Sequence, residues 1–300
     1  MSEPRMRPRA AWHPYALLLP TVLVLGTFFV YPLLLGLYRS FFRWDLLAEP
    51  VFVGVGHYRS LFASGELVEI VGRTLGYSVV VVALSMTLGL TLAVWLNRQG
   101  TVYALVRGAI FSAYIVSWVA VGLLWLWLLD ADAGVVAALL RGIGITDTAL
   151  LSDPDTALWA LAAVTVWKIT GYAMVIFLAG LQDIPRSVLE AAALDGAGPW
   201  ARFRHVTWPL LWPTAAFVGT TSLILSFQAF DIVRVMTQGG PIRSTTIFVY
   251  AIYEQVFLNL RVGRASALTV VFFLFLVALT LLQLWAWRRA GRAAGEGSAA

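Results

Sequence analysis

The sequence predicts an all-α integral membrane protein with six transmembrane helices. Its 300 residues are 60% hydrophobic, with a mean hydropathy of +0.82, which exceeds what the core of a soluble protein requires. The chain contains apolar runs long enough to cross a bilayer, which takes about 20 residues in a helix. Since backbone groups inside lipid must hydrogen-bond within their own segment, we expect each run to be helical.

The first apolar run, from Tyr15 to Tyr38, follows a basic segment at residues 1–14. It exceeds the core of a signal peptide and lacks a small-residue cleavage site, so it is predicted to remain as the first span. One membrane domain, residues 15–287, is predicted to contain spans at residues 15–38, 74–97, 107–129, 157–180, 209–230 and 266–287. A tail at residues 288–300 is predicted to be disordered.

The composition argues against several other classes of protein. The net charge of +5 is spread over short loops, which favours membrane topology over nucleic-acid binding. The chain has no cysteine, and its three histidines fall in separate segments, so neither a metal site nor a cofactor is expected. No cluster of nucleophile, base or metal ligands is visible, which disfavours an intramembrane enzyme.

The position of the single lysine, Lys168, excludes a Walker A phosphate loop in this chain. A Walker A phosphate loop needs Gly-Lys-Ser/Thr, whereas Lys168 follows Trp167. If transport is driven by ATP, the ATPase must be another polypeptide, and this chain is not expected to be an enzyme. An ion-coupled carrier is an alternative, but such carriers usually have related halves and broken helices, and the sequence shows neither.

The distribution of arginine predicts the orientation of the chain in the membrane. Residues 1–14, 98–107, 182–208 and 288–300 hold eleven Arg and five Asp or Glu. The opposite loops hold nine Arg and eleven Asp or Glu in a greater length. Because positive residues are enriched in short cytoplasmic loops, both termini and the loop after the fourth span are predicted to be cytoplasmic.

That loop, residues 184–209 and hereafter the coupling loop, combines a short helix with a glycine turn. Residues 189–194 are strong helix formers, and Gly196 and the Gly198-Pro199 pair should end the helix. An apolar protein that keeps such a segment outside its spans is expected to present it to a partner. The alternative is an amphipathic interfacial loop that binds nothing.

The spacing within the coupling loop resembles the EAA loop of ABC importer permeases. Glu190-Ala191-Ala192 is followed after three residues by Gly196, and after nine more by Val206-Thr207-Trp208-Pro209, where the family usually has I-x-L-P. The resemblance implies the six-helix MetI-like permease fold and a cytoplasmic helix that docks in a groove of the ATPase. It assigns the ATPase-coupling role to Glu190, Ala191, Ala192, Asp195 and Gly196.

Polar side chains inside the spans indicate a path for the solute. Lys168 lies in mid-span, where a lone charge costs about 2.5–3.5 kcal/mol, so it either attracts an anion or is a paired structural charge. Ser222 and Ser226 share a helix face, and Gln228 follows them. Tyr172, one turn from Lys168, could stack on a sugar. For all of these the alternative is plain packing.

Further motifs resemble the carbohydrate-uptake class of these permeases, especially the maltose-type and glycerol-3-phosphate-type subunits. They are Phe52–Tyr58, Val166-Trp167-Lys168 and the F-D…T-x-G-G-P…T-T pattern of residues 230–246. Alignment with the maltose-type subunit puts Tyr172, Ser222, Leu225 and Ser226 on positions that line its sugar site.

The resemblance implies that the chain imports a sugar or glycerol-3-phosphate-like solute across a bacterial or archaeal plasma membrane. It also implies three kinds of partner: a second, different permease subunit, two ATPase subunits and an extracytoplasmic solute-binding protein. A peptide or amino-acid permease of the same superfamily is the alternative, and the segment Thr237–Pro241 disfavours it.

Overall fold

The structure is a computed structural model that describes residues 13–296. Within this range the regular structure is helical except for one antiparallel pair of two-residue strands, Phe42–Arg43 (β1) and Val51–Phe52 (β2). The helices are α1 His13–Leu25, α2 Tyr31–Arg39, α3 Gly56–Ala63, α4 Glu66–Leu96, α5 Thr101–Ile115, α6 Trp118–Leu128, α7 Val135–Gly142, α8 Ala157–Gln182, α9 Arg186–Leu194, α10 Pro199–Arg202, α11 Trp208–Phe227, α12 Phe230–Met236, α13 Phe248–Tyr253 and α14 Val262–Glu296. Three π-helical turns, Gly26–Val30, Phe203–Thr207 and Glu254–Leu258, adjoin them.

Five helical segments are long and apolar enough to cross a membrane, and a bent helix pair raises the number to six. The five are Leu17–Arg39, Glu66–Leu96, Ala157–Gln182, Pro199–Met236 and Val262–Arg289, and the bent pair is α5 with α6. The six predicted runs therefore each correspond to a helical segment, although the boundaries differ.

The third predicted span, residues 107–129, is not one straight helix. Helices α5 and α6 are bent by 101° at Val116 and Ser117, both of which adopt extended backbone conformations. The apolar pattern does not mark the break, because apolar side chains continue on both sides of the bend. Hydropathy reports the length of an apolar run but not the direction of the helix axis.

Other boundaries also differ from the prediction. The fifth span is helical from Pro199, ten residues before its predicted start, because α10 and a π-helical turn lead directly into α11. The tail predicted to be disordered is instead helical as far as Glu296, since its Ala and Arg residues favour a helix. Most of the predicted N-terminal segment 1–14, and residues 297–300 of the tail, lie outside the described residues.

The described chain forms two compact units. The larger unit comprises Ser64–Ala251 and the chain from Leu274 onward. Helix α8 lies at its centre. In the most apolar stretch of α8, 72% of the residues are buried, compared with 22% in α4. Helix α8 packs against α4, α5 and α11, and its Met174 and Phe177 form a core with Leu211 and Val218 of α11.

Hydrogen bonds between side chains join the helices of the larger unit. The Tyr77 hydroxyl and the Thr165 hydroxyl lie 2.6 Å apart between α4 and α8. Between α11 and α4, the Ser226 hydroxyl donates to the Ser78 hydroxyl at 2.9 Å. Polar contacts of this kind are typical of helices that associate inside a bilayer, where few other hydrogen-bond partners exist.

The smaller unit contains the chain up to Ala63 together with Ile252–Phe273. In it the strand pair and α3 are joined by His57, whose Nε2 lies 3.1 Å from the carbonyl oxygen of Phe42. Because a carbonyl oxygen only accepts, Nε2 carries the proton in this contact. The hydroxyl of Tyr58 donates to Ser40 at 2.6 Å. The sequence element Phe52–Tyr58 therefore ties a strand end to a helix start.

We expect the folded structure around His57 to lose stability in acid. Burial lowers the pKa of His57 below its ordinary value of 6.5, and the charges of Arg264 and Arg43 act in the same direction, against the contact with Phe42. A lowered pKa means that the folded state favours the neutral imidazole, so stability is present above pH 6.5 and is lost as the pH falls through the folded-state value.

Hydrogen exchange of peptides covering residues 41–58 measures this loss at each pH. Normalised to a His57→Asn protein, which keeps an N–H donor but does not titrate, protection of the native chain should decrease below pH 6.5. Equal protection of the two proteins across the range would contradict the expectation.

Candidate coupling loop and substrate cavity

The short helix of the coupling loop ends in a Schellman motif. The Ala197 N–H donates to the carbonyl of Ala192 at 3.0 Å, and the Gly196 N–H donates to that of Ala193 at 3.1 Å. Gly196 has a φ of +79°, the left-handed conformation that this motif requires and that glycine adopts without steric cost. The spacing from Glu190 to Gly196 is therefore the spacing from the middle of α9 to its C-terminal turn.

Helix α9 contains no buried residue. Of the predicted coupling residues, Glu190, Ala191, Asp195 and Gly196 are exposed, and Ala192 is half-buried. Apolar side chains are exposed here as well: Leu194 is 89% exposed and Trp200 is 71% exposed. An exposed helix that combines apolar and charged side chains is typical of a surface that a partner covers.

The inner side of the coupling loop faces the ends of two long helices. A cavity of about 270 Å³ separates them and is lined by Val94, Asn97, Leu181, Ile184, Leu189, Pro199, Arg202, Phe203 and Thr207. A chain of neighbouring aromatic rings also leaves the loop: Trp200 to Phe203, then Trp208, Trp212 and Trp287, with centroids 4.8–6.4 Å apart. The loop is thus connected to α14 through Trp208 and Trp212 of α11.

A second cavity lies where the third span is broken. It has a volume of about 520 Å³, and we call it the aromatic cavity. Its wall is formed by the end of α5, the start of α6, the middle of α8 and the end of α11. The lining residues are Phe111, Tyr114, Ile115, Val116, Ser117, Trp118, Lys168, Leu225 and Gln228.

Lys168 is buried at the edge of this cavity, with 1% of its surface exposed. Its Nζ donates to the carbonyl oxygens of Ala113 at 3.2 Å and Tyr114 at 3.0 Å, and also to that of Val116. The ammonium lies 4.7 Å from the ring centroid of Trp118, within cation–π distance. All three N–H donors of the ammonium therefore have a carbonyl acceptor.

The structure brings together some of the residues predicted for the solute path, but not all. Lys168, Leu225 and Gln228 line the aromatic cavity. Tyr172 stacks on Tyr114 with centroids 5.0 Å apart, so it supports a lining residue from behind.

The two predicted serines lie elsewhere. Ser222 and Ser226 are 0% and 1% exposed and lie in helix contacts, where Ser226 bonds to Ser78. Neither lines the aromatic cavity in this conformation. The sequence predicted that they share a helix face, but it did not predict that this face packs against α4.

Sequence reasoning missed the lining residues contributed by the broken span. Tyr114, Ser117 and Trp118 belong to a run that was interpreted as one continuous helix. The available signal was Tyr114, Ser117 and Trp118 within five positions, in a run that also contains Phe111, Ser112, Trp125 and Trp127. That signal is weak, because serine and tyrosine are also common in ordinary transmembrane helices.

The comparisons with known proteins agree with these features. The family model described as "Binding-protein-dependent transport system inner membrane component" matches residues 85–292. That range contains both the coupling loop and the aromatic cavity.

Relatives match over nearly the whole chain. The sn-glycerol-3-phosphate transport system permease protein UgpA of Pectobacterium atrosepticum is 32% identical over 277 residues, covering 92% of this chain and 94% of the relative. The protein of the same name from Brucella abortus is 33% identical over 272 residues, covering 90% and 92%.

Solved structures confirm the predicted MetI-like fold. A bacterial ABC transporter involved in the import of alginate contains a chain with a TM-score of 0.79 and 23% identity, covering 93% of this chain and 96% of that one. The MetNI methionine ABC transporter gives a TM-score of 0.53 and 21% identity, covering 76% and 95%. The predicted family is confirmed by the match to residues 85–292, and the chain therefore belongs to the inner membrane components of binding-protein-dependent transport systems, which are the permease subunits of ABC importers.

Proposed function

We propose that this permease takes up a sugar or a glycerol-3-phosphate-like solute, with sn-glycerol 3-phosphate as the first candidate. The observation that carries the proposal is the similarity, over at least 90% of both chains, to permeases named for sn-glycerol-3-phosphate transport. The aromatic cavity supports it. Its wall combines the rings of Phe111, Tyr114 and Trp118 with the Ser117 hydroxyl and the Gln228 amide. Aromatic faces with a few polar groups suit a polyol that has shed its water.

The work of transport is divided among several chains. The ATPase is a separate pair of subunits, because the only lysine of this chain lies in α8 and outside any Walker A pattern. A second permease subunit completes the path, and an extracytoplasmic binding protein delivers the solute. The alginate importer, whose structure includes a periplasmic protein, supports this last assignment by analogy.

The coupling loop transmits the ATPase cycle to the cavity. With both termini and the loop in the cytoplasm, α9 docks on the ATPase through Glu190, Ala191, Ala192, Asp195 and Gly196. Closure of the ATPase dimer pushes α9 against the ends of α4 and α8, which line the cavity behind it. Because α8 also carries Lys168 and Tyr172, a rigid shift of this helix alternates access to the solute site.

Uptake into proteoliposomes that contain the complete importer tests the proposed function. ATP-dependent accumulation of labelled sn-glycerol 3-phosphate is expected, with competition by the unlabelled ester. Peptides and free amino acids should not compete. Efficient uptake of an amino acid or peptide, without uptake of the phosphate ester or a sugar, would overturn the proposal.

The role of Tyr172 can be tested in the same vesicles. Tyr172→Ala removes the ring that stacks on Tyr114, and such a ring pair contributes about 0.5–1.5 kcal/mol. We expect uptake to fall by roughly three- to tenfold while ATP hydrolysis stimulated by the binding protein persists. The control is Tyr31→Ala, which removes an exposed ring in α2. Equal uptake by both variants would place the solute path away from Tyr172.

A further inference from the structure

We propose that Lys168 is a positioning residue that holds the break in the third span. By capping the open carbonyl end of α5, it fixes residues 114–118 as a wall of the aromatic cavity. The break itself is a feature of the fold of this chain. Only its effect on transport rests on the function proposed above.

The break creates a need that Lys168 meets. The last carbonyl groups of a helix have no partner within the helix, and inside a membrane water is not there to supply one. Helix α5 ends at Ile115, and α6 starts at Trp118 in a direction that differs by 101°. The carbonyl groups of Ala113, Tyr114 and Val116 therefore need hydrogen-bond donors from outside α5, at a site where Ala113 is buried and the other two residues line the aromatic cavity.

The ammonium of Lys168 fits that need in number, charge and place. It has three N–H donors, and the three carbonyl oxygens accept them. A positive charge is favoured at the C-terminal end of a helix, where the macrodipole is negative. The Trp118 ring, 4.7 Å from Nζ, adds a second favourable contact from the other side of the break.

Gly171 brings α5 close enough for this contact. It lies one turn after Lys168, on the same side of α8. A Cβ atom at this position would lie 2.5 Å from the carbonyl oxygen of Ile110 and 3.0 Å from the Cα of Phe111. The backbones of the two helices thus touch at Gly171, and the ammonium engages the carbonyl end of α5 just beyond.

This arrangement separates a positioning role from a ligand role. With three acceptors already engaged, Lys168 has no N–H donor left for a solute anion. The groups that the break exposes to the cavity, the Ser117 hydroxyl and the Trp118 ring, depend on its geometry. Loss of Lys168 should therefore change the shape of the wall whether or not a solute is present.

A distance measurement tests the inference directly, and the chain suits it because it has no native cysteine. Spin labels are attached to Val102→Cys and Trp127→Cys, two exposed positions at the outer ends of α5 and α6. One straight helix would separate them by about 38 Å, whereas a bend of 101° gives about 23 Å. The control pair, Val68→Cys with Val94→Cys, lies on the unbroken α4.

In the assembled importer, the chain with Lys168 should show the short distance, with and without solute. Lys168→Met should move the distribution of the α5–α6 pair to longer values and broaden it, while the α4 pair stays unchanged. If Lys168→Met does not assemble, Lys168→Gln carries the same test, because it is neutral and too short to reach all three carbonyls. Uptake should fall at least tenfold in either variant.

The two readouts separate the inference from the proposed function. An unchanged distance in the neutral variants, with a higher half-saturation concentration for the solute, would overturn the positioning role and make Lys168 an anion ligand. A shifted distance would support the inference even if the native importer failed to take up sn-glycerol 3-phosphate. That failure would count against the proposed substrate alone.

Discussion

Gly171→Ala should lower the melting temperature of the detergent-solubilised subunit by about 5 °C, because overpacking costs about 1–3 kcal/mol. The added methyl group would lie 2.5 Å from a backbone carbonyl oxygen of α5, and a backbone atom inside a packed helix cannot move aside as a flexible side chain can. The two helices must then separate, and the contacts of Lys168 at the end of α5 weaken with them.

Thermal unfolding followed by tryptophan fluorescence measures the effect. The matched control is Gly108→Ala, in α5 itself, where an added Cβ meets nothing within 4 Å. That variant should melt at the native temperature or slightly above it, since alanine favours a helix by about 1 kcal/mol over glycine. The same melting temperature for both variants would show that α5 and α8 are not in close contact.

Gly196→Val should leave the subunit in the membrane but reduce ATP-driven uptake at least tenfold. Gly196 has a φ of +79°, where a β-branched side chain is strongly disfavoured, at a cost of about 1–2 kcal/mol. An added Cβ meets nothing within 4 Å, so the strain acts on the backbone alone. The Schellman turn is lost, and the direction of the chain after α9 changes.

The control for this prediction lies two residues away. Gly198 has a φ of −64° and also has open space around it, so Gly198→Val should retain most of the uptake. Insertion is measured by the amount of subunit in the membrane, and coupling by copurification of the ATPase. Normal uptake by Gly196→Val would contradict the coupling role of this turn.

The spans were predictable from sequence because lipid imposes a length on each apolar run. The same reasoning could not locate the break at Val116 and Ser117, since apolar side chains continue on both sides of it. Nor could it show that the helix before Pro209 extends back to Pro199, because a π-helical turn has no clear sequence signature. The length of a span follows from the local sequence, whereas the direction of its helix axis depends on packing against other helices.

The two candidate sites also differ in how far their geometry depends on local sequence. The coupling loop is defined by contacts within six residues, so a motif contains most of its geometry. The aromatic cavity depends on contacts between Lys168 and carbonyl groups 52–55 residues away. Lys168 could be recognised as unusual because a charge in mid-span needs a partner, but only the fold identifies the partner. Ser222 and Ser226 were predicted on the correct helix and face, yet that face packs inside the unit.

The carbonyl contacts of Lys168 also affect how strongly the permease binds its solute. A carrier that held its cargo strongly would release it slowly, so passage favours weak binding. The ammonium, already hydrogen-bonded to its own chain, attracts an anion only through residual charge next to three opposing carbonyl dipoles. We therefore expect the permease to bind the solute weakly, whereas the extracytoplasmic binding protein binds it with high affinity.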